Sequence, residues 1–285
     1  MKLSIIIPCY NAADTLGAQL EALAGQDWPG EWEVIVANNG STDDTVAVAQ
    51  RYQDRLPLRL VDASAQRGAT FAYLTATAAA TGDALIFCDA DDVVGEGYLR
   101  AMAAALAEHA AVAARCDMER LNQGWVRAAH SNTQVSGLQP YHYPPFLPHA
   151  GGSTMGIRRQ VFIELGGFDP DLYLIDTDLC WRLQLAGHDL HFVPQAVVYV
   201  RHRTTLKGIF RQGRTWGEGN VALYKKYRPL GMPELSRRAG LEGWGRLLRR
   251  LPFIRSQADL ARWLWQAGWR WGRLRASLRQ RLWAL

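Results

Sequence analysis

Short apolar runs alternate with amphipathic stretches through the first ninety residues. Residues 3–7 are apolar apart from Ser4 and are stopped by Pro8, which predicts a buried strand. Asp14 then precedes a stretch in which Leu16, Leu20 and Leu23 share one helical face, predicting a helix as far as Ala24. Residues 33–37 predict a second strand, and Asn38-Asn39-Gly40-Ser41 a polar turn. Thr42-Asp43-Asp44 opens a helix carrying Val46, Val48 and Ala49. Residues 58–61 predict a third strand, 68–81 an Ala-rich helix and 84–88 a fourth strand. This β-α-β-α-β-α-β order implies a mainly parallel sheet covered on both faces. Ligands of such sheets bind at the carboxyl ends of the strands. Three of the four predicted ends are polar: Tyr10-Asn11, Asn38-Asn39-Gly40-Ser41 and Asp89-Ala90-Asp91-Asp92.

Between residues 115 and 150 the periodicity fades into a Pro- and aromatic-rich segment containing Tyr141, His142, Tyr143 and His149. A long irregular stretch of this kind reads as a binding loop or lid, and these four rings are candidates for facing a ligand. A strand at 155–157, a helix at 159–165, a helix at 176–186 closed by Gly187, and one or two strands over 192–200 follow. On a helical wheel of residues 260–285, Leu260, Trp263, Leu264, Ala267, Trp271, Leu274, Leu278, Leu282 and Leu285 fall within an arc of about 100°. Arg262, Arg270, Arg273 and Arg279 lie outside it. Trp265, Trp269 and Trp283 form a second stripe.

Composition narrows the class. At 285 residues, 48% hydrophobic and 21% charged, the chain is neither a disulfide miniprotein nor a disordered polymer. Cys9, Cys88, Cys116 and Cys180 show no CxxC spacing and read as buried reduced thiols. No apolar run is long enough to span a membrane, and the N-terminal run is too short for a signal peptide, so a cytoplasmic chain is expected. The net charge of +5 hides a split. Residues 228–285 hold thirteen Arg, no Lys and three acids, a balance of +10, which leaves residues 1–227 at −5. The tail also holds six of the eleven Trp. Two parts are expected: a body over 1–227 and a basic helical extension over 228–285. Arg mixed with Trp and Leu suits an anionic membrane surface, here the inner face of the cytoplasmic membrane. Packing on the body or on a second copy in a homo-oligomer is the alternative. The acidic body and the lack of a nucleic-acid motif disfavour a nucleic-acid partner.

Asp89, Asp91 and Asp92 follow an apolar strand within about one turn, where they repel unless solvent or a cation intervenes. Such hard oxygens suit Mg2+ or Mn2+. The other reading is a solvated loop whose aspartates cap the next helix. Asp176 and Asp178 likewise read either as helix N-terminal acids favoured by the dipole or as acid–base groups. His202 sits in Arg201-His202-Arg203, either as a surface histidine or as a ligand.

Taken in order, Ser4-Ile5-Ile6-Ile7-Pro8-Cys9-Tyr10-Asn11, Val34 to Asp43, Arg67-Gly68, Asp89-Ala90-Asp91-Asp92, Gly166-Gly167-Phe168-Asp169 and Asp176-Thr177-Asp178-Leu179 resemble the motifs of inverting nucleotide-sugar glycosyltransferases of family 2. The resemblance covers roughly residues 3–220. It implies a GT-A-type α/β fold, a single nucleotide-binding domain with a mainly parallel central sheet, followed here by the helical basic tail. It assigns Pro8, Tyr10, Asn11, Asn38, Asn39, Arg67 and Asp89 to the nucleotide. It assigns Asp91 and Asp89, with His202, to a Mn2+ or Mg2+ ion, and Asp176 to the general base with Asp178 as second candidate. Asn38 and Asn39 stand where the family usually has Asp-Asp or Asp-Asn. Tyr73 and Leu74 replace an Arg-Asn pair, and Ile175 replaces the Glu before the base. The implied reaction transfers a sugar from a nucleoside-diphosphate sugar to an acceptor hydroxyl of a lipid-linked or cell-surface glycan. The alternative is a non-catalytic nucleotide-sugar-binding relative at the membrane. A nucleotidyltransferase would carry a Gly-rich N-terminal loop, which Pro8-Cys9-Tyr10-Asn11 is not.

Overall fold

The computed structural model describes residues 1–131 and 133–284, without the side chains of Arg237 and Ala239. Leu285 of the predicted apolar arc lies outside the described residues. Among them, the early elements follow the predicted order: β1 (Leu3–Cys9), α1 (Ala13–Ala24), β2 (Trp32–Asn38), α2 (Thr45–Gln50), β3 (Leu58–Asp62), α3 (Ala69–Ala79) and β4 (Ala84–Phe87). β1 pairs in parallel with β2 and β4, and β2 with β3. Alternation along β1 sends Ile5 and Ile7 to one face, against Leu16, Leu20, Leu23 and Leu106. It sends Ile6 to the other, with Ala72, Phe87 and Trp181.

The sheet continues as β3-β2-β1-β4-β9-β6-β10-β5. It includes β5 (Val93–Val94), β6 (Ala111–Asp117), β9 (Met155–Arg158) and β10 (Leu190–Tyr199), with α4 (Tyr98–Glu108) between β5 and β6. β9 runs antiparallel between β4 and β6, so its N-terminal end lies beside the carboxyl ends of its neighbours. The segment expected to be irregular contains the end of β6, α5 (Gly124–Ala129) and a separate hairpin, β7 (Gln139–His142) and β8 (Pro145–His149). α6 (Arg159–Glu164) and α7 (Ile175–Leu185) precede β10. All four cysteines are free and buried.

α8 (Leu206–Tyr227), α9 (Arg237–Arg249) and α10 (Gln257–Gln280) complete the chain. α8 and α10 cross at their backbones. A Cβ at Gly213 or Gly217 would collide with backbone of Trp265 or Trp269, and one at Gly268 or Gly272 with backbone of Phe210 or Arg214. Two small-residue stripes spaced by four positions therefore set this approach, each on one helical face. Arg273, 2% exposed, lies within cation–π reach of Tyr143 and Trp269 at 4.3 and 4.5 Å, and its Nε donates to the Ala284 carbonyl. The second tryptophan stripe thus faces the body through Trp265 and Trp269. Trp271 and Leu278 of the first stripe stay exposed. No described helix is long and apolar enough to cross a membrane.

Candidate active site

The carboxyl ends of β1, β2, β3 and β4 form one rim, and the Arg201–Arg203 segment after β10 closes it. The first two loops are stitched together. Asn11, at φ 49°, accepts from the Thr42 amide through Oδ1 at 2.8 Å, and its own amide donates to Ser41 Oγ at 3.0 Å. Tyr10 projects into solvent beside them, and Pro8 is half-buried in β1. Asn38 accepts from the Ser41 amide and fixes the turn. Asn39 is buried and spent on its neighbours. It donates to the carbonyls of Ala63 and Gln66 and accepts from the Gly68 amide at 2.8 Å. It shapes the loop from β3 to α3, which leaves Arg67 exposed at its lip.

The acidic cluster divides by environment. Asp92 is buried and accepts from the Arg201 amide at 2.9 Å. Burial, then the charges of Asp89 and Asp91, push its carboxyl well above the usual range. Asp91 lies closer to solvent, with Arg203 3.9 Å from Oδ2 and Arg201 Nε donating to its carbonyl at 3.0 Å. Asp89 accepts from the Tyr73 hydroxyl at 2.8 Å. Its carboxyl is pushed up to about 6 by burial first and then by Asp91, with a further contribution from Asp176. Tyr73, which replaces the Arg of the family's Arg-Asn pair, thus contacts the acidic cluster directly. It stands on an aromatic cluster with Phe87 and Phe168, which aims its hydroxyl at Asp89.

Asp176 reaches the rim from the first turn of α7. Its Oδ2 accepts from the Gly152 amide at 3.0 Å and its Oδ1 from the Thr177 amide at 2.7 Å. The antiparallel β9 is what brings Gly152 there. Tyr173, about half exposed, is close enough for the charges of Arg203, Asp176 and Asp89 to act on its hydroxyl. Nothing in the sequence singled it out. Asp178, expected as a second acid–base candidate, is 0% exposed and fully engaged. Oδ2 takes Arg182 Nε at 2.8 Å, and Oδ1 takes Lys226 Nζ at 2.7 Å and the Tyr227 hydroxyl at 2.7 Å. Arg182 also binds the Gly167 carbonyl and Lys226 also binds Asp169, so these contacts clamp the Gly166–Asp169 turn onto α7 and α8.

His202 stacks on His130 with ring centroids 3.7 Å apart, and its amide donates to Asn122. Burial, then His130, lowers its pKa to about 4, so it is neutral at physiological pH. The ligand atoms of Asp89, Asp91 and His202 are not gathered into one group in this chain. Among the described residues, the trio whose ligand atoms lie within 4.8 Å of one another is His109, Asp189 and His191, at the opposite end of β6 and β10. Of the rings expected to face a ligand, Tyr141 is buried, accepts from Asn220 and packs on Trp181. Tyr143 packs on Trp269 and Arg273. Both are taken up by the hairpin's attachment to α8 and α10. His149 lies nearer Asp176, whose charge opposes the lowering of its pKa by burial.

A mainly parallel sheet with antiparallel β9 inside it and antiparallel β5 at its edge, and with carboxylates on its carboxyl rim, matches an established family. Residues 4–166 fit the model of glycosyl transferase family 2. The chain belongs to that family. This glycosyltransferase is 35% identical over 227 residues to an uncharacterised glycosyltransferase, YibD, of Escherichia coli, covering 74% of the present chain and 65% of the relative. It is 20% identical over 230 residues to the poly-beta-1,6-N-acetyl-D-glucosamine synthase of Staphylococcus epidermidis, covering 76% of the present chain and 54% of the synthase. The chain therefore spans less than two thirds of these relatives. Among solved structures, a mannosyltransferase of Pyrobaculum calidifontis in complex with GDP-Man and Mn2+ superposes with a TM-score of 0.64 at 20% identity. That match covers 95% of the present chain and 86% of the other. Staphylococcus aureus TarS in complex with UDP-GlcNAc gives 0.55 at 17% identity, covering 99% and 93%. The enzyme thus has the GT-A-type α/β fold expected from its motifs.

Proposed function

We propose that this glycosyltransferase moves a sugar from a nucleoside-diphosphate sugar to an acceptor hydroxyl by inverting single displacement, with Asp176 as general base. The observation that carries the reading is the meeting of Asp89, Asp91 and Asp176 on one rim, close enough for the other two charges to help raise Asp89 to about 6. That mutual repulsion is what a dication relieves, and hard carboxylate oxygens are the donors that Mn2+ or Mg2+ takes. Asp89 and Asp91 would hold the ion, and His202, neutral and stacked on His130, is the imidazole the motifs offer beside them. When bound, the ion supplies charge neutralisation for the departing diphosphate.

The remaining work belongs to side chains of the enzyme. Arg201 and Arg203 flank Asp91 and add positive charge beside the diphosphate. Tyr10, Asn11, Asn38 and Arg67 line the nucleotide side with Pro8, while Asn39 holds the loop on which Arg67 sits. The Thr177 amide and hydroxyl hold Oδ1 of the Asp176 carboxylate, while Oδ2 takes only the Gly152 amide and keeps a lone pair for the acceptor proton. Asp178 anchors α7 rather than moving a proton. The acceptor is a lipid-linked or cell-surface glycan, reached at the cytoplasmic face of the membrane. The solved neighbours holding GDP-Man with Mn2+ or UDP-GlcNAc support a sugar-nucleotide donor.

The test pairs binding with turnover. A panel of UDP-, GDP- and TDP-sugars should raise the melting temperature only with Mn2+ or Mg2+ present. Asp176→Asn should keep that shift and lose turnover by about 10²- to 10⁴-fold. Near-normal turnover in Asp176→Asn, or a donor shift unaffected by Asp91→Asn, would remove the assignment.

A further inference from the structure

The segment joining α9 to α10 reads Leu248-Arg249-Arg250-Leu251-Pro252-Phe253-Ile254-Arg255. Seven of these eight residues are exposed, including Leu248 at 58% and Phe253 at 68%. Exposing large apolar side chains at a hairpin tip costs solvation that a folded protein ordinarily avoids. Arg249, Arg250 and Arg255 surround them, and none makes an ion pair among the described residues. Arg249 reaches only the Gly245 carbonyl, and Arg250 the amide of Gln266. A shallow cleft of about 350 Å³ opens beside the tip, lined by Arg250, Phe253, Ile254, Asp259, Arg262 and Trp263. Apolar side chains projecting between unpaired guanidinium groups match the boundary between acyl chains and anionic headgroups.

The tip also has a fixed place relative to the rim. Ala258 and Ala261, just beyond it, pack with Ala129 of α5 and Ile209 of α8. Arg262 donates to the Ala128 carbonyl. His130, at the end of α5, stacks on His202, whose neighbour Arg201 binds the backbone of Asp91. The tip, α5 and the acidic rim therefore occupy the same end of the molecule.

We infer that the Leu248–Arg255 tip docks this enzyme on an anionic bilayer, inserting Leu248, Leu251 and Phe253 while Arg249, Arg250 and Arg255 bind lipid phosphates. Docking there turns the rim toward the membrane. Resting on the glycosyltransferase reading, this favours an acceptor whose carrier lies in the bilayer. The predicted lipid face is thereby moved from α10, where Trp271 and Leu278 alone among the described members of the first stripe are exposed, to the hairpin tip.

The full-length chain is sedimented with phosphatidylcholine vesicles and with vesicles containing about a third phosphatidylglycerol. Binding is expected only to the anionic vesicles and should be released by high salt. Leu248→Glu/Phe253→Glu and Arg249→Glu/Arg250→Glu should each weaken it at least about tenfold. Both variants should keep the wild-type melting temperature and the wild-type donor shift with Mn2+, so a failed donor reading and a failed docking reading are told apart. Equal binding to neutral vesicles, or unchanged binding by both variants, overturns the inference. So does loss of binding in Trp271→Glu alone, which would return the lipid face to α10. A concentration-dependent dimer in the absence of lipid that Phe253→Glu abolishes would assign the tip to a second copy and also overturn it.

Discussion

Tyr73 and Asp89 show how one hydroxyl tunes the rim. The Tyr73 bond lowers an Asp89 pKa that burial and Asp91 raise to about 6. Asp89 must be ionised to hold a cation, so metal-dependent donor binding should strengthen as pH rises through about 6. In the metal-free chain the sign for folding is the reverse. The folded state keeps a proton that the unfolded chain, whose carboxyl titrates near the ordinary 3.8, releases. This group's contribution to stability therefore falls as pH rises from about 4 to about 6. Tyr73→Phe removes one charge-assisted bond worth about 1.5 kcal/mol, which moves the midpoint of metal-dependent binding up by about one pH unit. Titration of the Mn2+-dependent melting shift against pH checks this, and an unmoved midpoint would show that the Tyr73 bond does not tune Asp89. The carboxylates were legible in the sequence because three acids after a buried strand have few uses. Tyr73 was not, because its role exists only once α3 lies against β4 and Phe168 supports the ring. The engagement of Asn39 was hidden for the same reason. Its amide looks like a ligand group in the sequence and turns out to be occupied by the backbone of the next loop.

At the level of elements, β1, β2 and β4 were readable because each is a short apolar run between turn signals, buried on both faces, and the edge strand β3 because Leu58, Leu60 and Val61 stand between turns. α4 and β6 escaped. Leu99, Met102, Ala103 and Leu106 do stand at helical spacing, but in an Ala-rich run that blurs the helix ends, and β6 has no strand alternation and depends on its neighbours β9 and β10. The antiparallel entry of β9 was equally hidden, since long-range register is not written in local periodicity. One buried polar knot holds the far end of the first strands. Glu33 accepts from Ser4, from both the amide and hydroxyl of Thr81, and from Arg59 at 2.8 Å. Burial opposes its ionisation, but these bonds outweigh it and draw the carboxyl down to about 2. Glu33→Gln should cost about 2 kcal/mol in denaturant unfolding at neutral pH. Wild-type stability from this group is complete above about 4.5 and is lost as pH falls toward 2, so the two proteins should converge in acid. A constant difference between them across that window would assign the effect to packing alone.

Across the whole molecule, the charge split visible in the composition does not mark a loosely hung tail. Ala276 and Ala284 join the same core as Ile6 and Trp181, and the glycine faces of α8 and α10 admit no side chain between them. Gly217→Leu should therefore lower the melting temperature of the entire chain in one transition, by several degrees for each kcal/mol lost. A separate early transition confined to the C-terminal helices would instead mark the tail as an independent unit. The sequence showed two tryptophan stripes on α10, but not which one would be buried, because that choice belongs to the glycines of a helix fifty residues earlier. The same interlocking limits how the enzyme can be rebuilt. Grafting its C-terminal helix onto a related transferase to redirect it within a cell would have to carry α8 along as well, since the recipient's own helix would present methyl groups where the donor pair needs bare backbone.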